Sequence, residues 1–407
     1  MRDDTRVGMA AIAAFTLAFP FGVAGSLMIA PAVAVMALIA FPVDPAFWKM
    51  RRPPWALILG ALFLVWLLVS ILWSPHDDPG QAWRTGLGVP LYLLFALRAG
   101  RIEGRWQRRV ETAILFTVLA LGLFLLAETL LDGAITRGFK LAEEGFDEAT
   151  ARQTRDFVNR SLGHAAVPLI LLAMPMALIS WREGGPLVGL VCLVLGYVAA
   201  FSFSTEVNAV AISVATIAAL LALKWPRSMV ALSFGLVAGG LIVLPLILPD
   251  IISSLPDSVR SAMPHSWEMR LEIWSYVCDL IADKPWFGYG LDASRPLSGE
   301  FVFNGREFEA LPLHPHNATL HIWLETGAVG AILAATGLVA LGGQIAAAPQ
   351  LSRLQAVAVV WVLAIYVSLI VFSYGVWQEW HQGTVALAAT SVFFLGAKRS
   401  RSTTLRA

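Results

Sequence analysis

The chain has 407 residues, 57% of them apolar and 14% charged, with a mean hydropathy of +0.70. Soluble domains carry about 25% charged and about 45–50% apolar residues, so a soluble enzyme, a secreted disulfide scaffold and a disordered chain are excluded. A formal charge of +1, from 29 basic and 28 acidic residues, gives no electrostatic footprint for a nucleic-acid partner.

Apolar residues gather in blocks at about 7–24, 26–43, 55–73, 85–98, 110–131, 161–180, 186–203, 207–223, 228–248, 318–346, 354–373 and 382–396. A bilayer is crossed by about 20 apolar residues in a helix. The blocks therefore predict an all-α polytopic membrane protein with about 12 transmembrane helices, the block at 85–98 being short for a span. Two long loops separate them, at 132–160 and 249–317, and 1–407 reads as a single polytopic domain. The first block runs directly into the second without a small-residue cleavage site, so it is read as a span and not as a removable signal. Fifteen Trp suit membrane interfaces, and Cys192 and Cys278 imply no disulfide framework.

Basic residues set the expected orientation. Arg2, Arg6, Lys49, Arg51, Arg52, Arg98, Arg101, Arg105, Arg108, Arg109, Arg182, Lys224, Arg227, Arg353, Lys398, Arg399, Arg401 and Arg406 all fall on one side, against Arg84 alone in the short loops of the other. By the positive-inside bias both termini are cytoplasmic. In a bacterial inner membrane the two long loops then face the periplasm. No internal repeat is seen, which disfavours a secondary transporter.

The second long loop contains one clear helix. Ser266 can cap it, and the stretch from Trp267 to Ala282 sets Arg270, Trp274, Val277 and Ile281 on one face. Asp283-Lys284-Pro285 stops it, and Phe287-Gly288-Tyr289-Gly290 reads as a turn. Arg270 is open to two readings: a cation for an anionic ligand, or an arginine stacked on Trp274 with its head in water.

The same loop ends in Leu313-His314-Pro315-His316-Asn317, followed by a span carrying His321 and Glu325 one turn apart on a common face, placed to pair. Asn317 is a favourable N-cap, which sets His316 beside free N–H groups at the positive end of the helix dipole, a place for an anion such as phosphate. A histidine there can take a proton near neutral pH, or simply bond loop carbonyls. A zinc site at His314, His316 and His321 lacks the helical spacing of known pairs and a fourth ligand, so no metal and no cofactor is expected. Arg160 sits where a span begins, one turn from His164, and either anchors at the headgroups or faces a ligand; Arg84 is open to the same two readings, and Arg155 reads as a solvated charge. Glu128 and Glu206, at span ends, carry no assignment.

These residues resemble a known family. His316-Asn317, nine residues, then Gly327 is similar to the His-Asn-x9-Gly signature of the superfamily of O-antigen ligases, O-antigen polymerases and protein O-oligosaccharyltransferases. Arg270-Leu271-Glu272-Ile273-Trp274 and Pro285-Trp286-Phe287-Gly288-Tyr289-Gly290 resemble its Arg-x3-Trp and Pro-x-x-Gly-x-Gly stretches, and Asn159-Arg160 resembles its earlier-loop arginine. The resemblance covers about 155–335; Ala328 departs from the bulkier residue ligases often carry after the glycine. It implies an inverting, metal-independent glycosyltransferase of the GT-C type in the cell inner membrane. Such an enzyme passes a glycan from undecaprenyl pyrophosphate to a hydroxyl of lipid A-core, as a ligase of lipopolysaccharide biosynthesis, or to another glycan acceptor, as a polymerase, or to a protein, as an O-oligosaccharyltransferase. By the same resemblance His316 is the general base or acceptor-orienting residue, Arg160 and Arg270 bind the pyrophosphate, and Arg84, His314, Asn317 and His321 stand in a second tier. A lipid-linked sugar transporter, from another class, would place paired charges deep in several spans; here the unusual polar residues collect at one face.

Overall fold

Each of the twelve apolar blocks is a helix in the structure, a computed structural model that describes residues 2–44, 53–144, 151–203, 206–260, 262–303 and 306–396. Lys49, Arg51, Arg52, Lys398, Arg399, Arg401 and Arg406 lie outside the described residues, as do the side chains of Arg152 and Arg155. In chain order the elements are α1 (Arg2–Val23), α2 (Ile29–Ile39), α3 (Trp55–Val69), α4 (Gly80–Ala99), α5 (Gly104–Leu130), α6 (Ala134–Glu144), α7 (Ala151–Arg182), α8 (Pro186–Ser202) and α9 (Glu206–Lys224). Next come α10 (Pro226–Ser253), α11 (Asp257–Arg260), α12 (His265–Asp283), β1 (Glu300–Phe303), β2 (Arg306–Glu309), α13 (Ala318–Ala347), α14 (Arg353–Phe372) and α15 (Glu379–Gly396).

Eight helices among the described residues are long and apolar enough to cross a membrane: α1, α3, α5, α7, α9, α10, α13 and α14. α2 and α8 are apolar but shorter. α4 begins five residues before its apolar block and takes in Gln81 and Arg84, and α15 opens on Glu379 and His381, so both carry polar groups at the end near the long loops. β1 and β2 form an antiparallel hairpin that the all-helical expectation did not contain, pairing Glu300 with Glu309 and Phe303 with Arg306.

Two cores pack side by side. One gathers α1, α2, α4, α5, α7, α8, α9, α14 and α15 around Phe15, Phe95 and Trp361; the other joins α3, α10, α12, α13 and the long loop around Trp274, Leu320 and Trp323. The link from α14 to α15 lies on the seam, with Tyr374 in the first core and Val376 and Trp377 in the second.

Several tryptophans do more than mark an interface. Pro245 has no N–H, so inside α10 the carbonyl of Leu241 loses its helical partner. The Trp323 indole of α13 donates to that oxygen at 2.8 Å, replacing a bond whose absence in hydrocarbon would cost several kcal/mol. Trp361 Nε1 likewise donates to Ile170 O at 2.8 Å, tying α14 to α7. At the other end of the bundle, arginines satisfy carbonyls at or near helix ends: Arg98 reaches Ala40 O at 3.1 Å, Arg182 reaches Phe394 O at 2.7 Å and Arg227 reaches Ala346 O at 2.5 Å. Glu128, left unassigned from the sequence, is buried and caps α6, accepting from Ile135 N at 3.1 Å and Thr136 N at 2.7 Å.

Candidate functional site

The site begins with a break in α13. Gly327 has φ +63° and ψ −169°, which interrupts the helix two residues past Glu325. The freed N–H groups are met by the Pro285–Gly290 turn: Ala328 N donates to Pro285 O at 2.8 Å and Val329 N to Trp286 O at 3.2 Å. In return Tyr289 N reaches Leu324 O at 2.8 Å and Gly290 N reaches Glu325 O at 2.9 Å. A Cβ on Gly288 would lie 2.7 Å from the Glu325 carbonyl carbon, and one on Gly327 would lie 2.3 Å from Trp286 O. The two glycine motifs of the sequence are thus halves of one backbone joint.

α12 leads into this joint. It begins at His265 behind Pro264, so Ser266 lies within its first turn and is not the cap expected from the sequence. Trp274, Val277 and Ile281 are buried along one face, as their spacing requires. The stacking partner differs from the one the sequence suggests: the Arg270 guanidinium lies 5.2 Å over the ring of Trp267. Trp274 is unavailable because its indole turns inward to donate to Pro315 O at 3.0 Å. Trp267 is itself held by Glu206, whose Oε2 accepts from Nε1 at 3.3 Å. Burial pulls the Arg270 guanidinium down from the usual arginine range, with Glu206 opposing; it stays cationic at any working pH.

The His-Pro-His turn is strained and overdetermined. Leu313 and His316 have φ of +63° and +53°, a left-handed conformation that costs on the order of 1–3 kcal/mol for each such residue. Three bonds hold it: Trp274 to Pro315 O, His316 N to His314 Nδ1 at 3.1 Å, and Ser294 Oγ to Leu313 O at 2.9 Å. Asn317 then caps α13 as its identity suggests, its side chain accepting from Thr319 N at 3.0 Å and Leu320 N at 3.2 Å.

His316 is half-buried, and its Nδ1 lies 2.7 Å from the carbonyl oxygen of Ser373, at the end of α14. A carbonyl only accepts, so Nδ1 carries the proton and the neutral ring keeps its lone pair on Nε2. Burial pushes this imidazole below the usual histidine range; the Ser373 carbonyl pulls upward, while the Arg270 charge and His321 push further down. His314 packs 4.3 Å from the His316 ring and is pushed down to about 2, first by burial and then by His316, His321 and Arg295. Both rings are therefore neutral near pH 7.

Behind them the expected pair of His321 and Glu325 forms, at 3.1 Å between Nε2 and Oε1. Arg84 is elsewhere: its Nε bonds Glu379 Oε1 at 2.7 Å on the rim formed by α4 and α15. Arg160 is exposed on α7, one turn from His164, whose ring lies 5.2 Å from Tyr374, the residue after Ser373. The structure thus brings together Arg270, His314, His316, Asn317 and His321, sets Arg160 toward the same end of the bundle and Arg84 at its rim. The sequence carried no signal for Ser294, Ser373 or Trp377, whose partners are distant in the chain, nor for Arg295, which is oriented by Asp292 at 2.8 Å. Among the described residues no group of three or more His, Cys, Asp or Glu is arranged to hold a metal ion.

Comparison with known proteins bears on this region. Residues 188–335 match the family model described as O-Antigen ligase. A Rickettsia conorii protein named "Putative polysaccharide ligase" is 28% identical over 282 residues, covering 67% of this chain and 64% of its own length. One of that name from Rickettsia prowazekii is 25% identical over 281 residues, with the same two shares. One from Rickettsia felis is 38% identical over 108 residues, or 25% of this chain and 26% of its own length. Each of these matches spans less than two thirds of the relative, and no solved structure matches. The stretch matched by the family model holds the Gly327 joint and the His-Pro-His turn together, and over that stretch the chain is similar to the O-antigen ligase family.

Proposed function

We propose that this protein is an O-antigen ligase: a metal-independent, inverting glycosyltransferase that moves a glycan from undecaprenyl pyrophosphate to a hydroxyl of lipid A-core. On this reading it lies in the bacterial inner membrane with both termini cytoplasmic, and the His-Pro-His turn faces the periplasm. The observation that carries the proposal is a neutral imidazole with its Nδ1–H committed to Ser373 O, beside an arginine that no described residue hydrogen-bonds or ion-pairs.

The chemistry follows from that pairing. His316 Nε2 takes the proton of the acceptor hydroxyl as its oxygen attacks the anomeric carbon of the donor. The bond from that carbon to the pyrophosphate breaks, and its electron pair leaves on the phosphate oxygen. Attack from the face opposite the leaving group inverts the anomeric centre. Arg270 and Arg160 offer planar donors to the departing phosphate oxygens, a role a point charge fills less well. The dipole at the start of α13 adds positive potential in the same place.

The test is a strain lacking the protein, complemented with wild type or with His316→Ala. Loss of polymer on lipid A with long chains accumulating on undecaprenyl, restored by wild type and not by His316→Ala, is the expected result. Lipid A-core bearing a single repeat would instead identify a polymerase. Full restoration by His316→Ala in membranes would overturn the assigned role of His316.

A further inference from the structure

Three pieces of chain distant in sequence meet on one carboxylate. Glu325 is fully buried; its Oε1 accepts from His321 Nε2 at 3.1 Å and Ser294 Oγ at 3.0 Å, and its Oε2 accepts from Trp377 Nε1 at 2.6 Å. The Ser294 N–H is a weaker fourth donor at 3.4 Å. Burying a carboxylate costs several kcal/mol even when it is well bonded, and an apolar core of equal volume is often at least as stable. Stability alone is therefore a poor reason for Glu325 to be here.

The three donors lie on the walls of the His316 turn. His321 is one turn into α13, which starts directly after His316 and Asn317. Ser294 also bonds Leu313 O at 2.9 Å, on the far side of His-Pro-His. Trp377 belongs to the link between α14 and α15 that presents the Ser373 carbonyl to His316. In that link a Cβ on Gly375 would already lie 3.1 Å from His314. The Trp377 carbonyl is fixed in turn by Gln81 Nε2 at 3.2 Å.

We propose that Glu325 is the positioning residue for His316: by gripping Trp377 and Ser294 it holds the Ser373 carbonyl and the His-Pro-His turn in register, and so fixes which imidazole nitrogen is free to act. The proposal rests on the reading of His316 as the proton acceptor. It assigns Glu325 no contact with substrate. The Nδ1–H form that Ser373 enforces is the less common tautomer of a free imidazole, so the ring reverts toward Nε2–H once the carbonyl is released.

Two variants of the full-length protein in lipid vesicles test this, Glu325→Gln and Trp377→Phe, assayed with an undecaprenyl-pyrophosphate-linked glycan and lipid A-core. Loss of the partner that orients a metal-bound histidine typically costs about 10–100-fold, and a histidine held as a proton acceptor depends on its orientation in the same way. Here kcat is expected to fall by about that factor while KM for the donor stays within about threefold, because Arg160 and Arg270 are untouched. The nitrogen-15 spectrum of labelled histidine, with the His316 signal assigned by its loss in His316→Gln, is expected to move from protonated Nδ1 toward protonated Nε2 in both variants. If Glu325→Gln fails to insert, Trp377→Phe carries the test, since it removes one N–H and leaves the carboxylate in place. Wild-type kcat and tautomer in Trp377→Phe, or a rate loss that only tracks the folded fraction, overturns the proposal. An active His316→Ala instead removes the functional reading beneath it, whatever Glu325 does.

Discussion

Gly327→Ala is expected to break the joint on which the site is built. At φ +63° and ψ −169° the residue occupies a region open in practice only to glycine, and a side chain forced there costs about 1–3 kcal/mol. The added Cβ would lie 2.3 Å from Trp286 O and 2.5 Å from Phe287 N, backbone atoms that cannot swing aside as a side chain does. Relief requires the Pro285–Gly290 turn to withdraw, breaking the bonds to Ala328 N at 2.8 Å and Val329 N at 3.2 Å. Donors left unpaired cost about 1–3 kcal/mol each, so the total loss is about 3–9 kcal/mol. Gly343→Ala is the matched control: it lies in the same helix with open space around its Cβ, and alanine there is expected to be neutral or stabilising by up to about 1 kcal/mol. Thermal unfolding of both variants in detergent, followed by size-exclusion chromatography, gives the comparison. A Gly327→Ala protein that melts with wild type and transfers glycan normally would refute the joint.

Trp274→Phe removes the indole donor to Pro315 O, and should cost about 1–3 kcal/mol together with most of the transfer activity; unchanged activity would show that the His-Pro-His turn holds itself. Arg84→Ala breaks a half-exposed pair with Glu379, worth at most about 1 kcal/mol, and should leave transfer near normal; complete loss would place Arg84 in the site after all. Burial and Arg270 lower the His316 pKa, so the neutral, proton-accepting form persists below the ordinary histidine value. The rate is therefore expected to stay level as pH falls from 8 to about 6.5 and to drop only below that. An acid limb centred above about 6.5 would contradict the assigned environment.

Hydropathy blocks of span length located every long apolar helix, because a chain in hydrocarbon must bond its own backbone and a helix does so locally. The same locality made Asn317 legible as a cap and set His321 and Glu325 on one face, since both depend only on neighbours within a turn. The span at 85–98 looked short because its first turn is polar, and that turn is helical through packing on α15. Arg270 was placed on the wrong tryptophan for a related reason. Helical spacing favours Trp274, but the acceptor that captures Trp274 comes from the loop 41 residues later. Spacing in the sequence determined the helices, the turn residues and the histidines that mark the site. Only the tertiary structure decided that Gly327 and Gly288 are one joint, that Ser373 orients His316, and that Glu325 ties α13 to Ser294 and Trp377. Those are bonds between groups far apart in the chain, and no local periodicity records them.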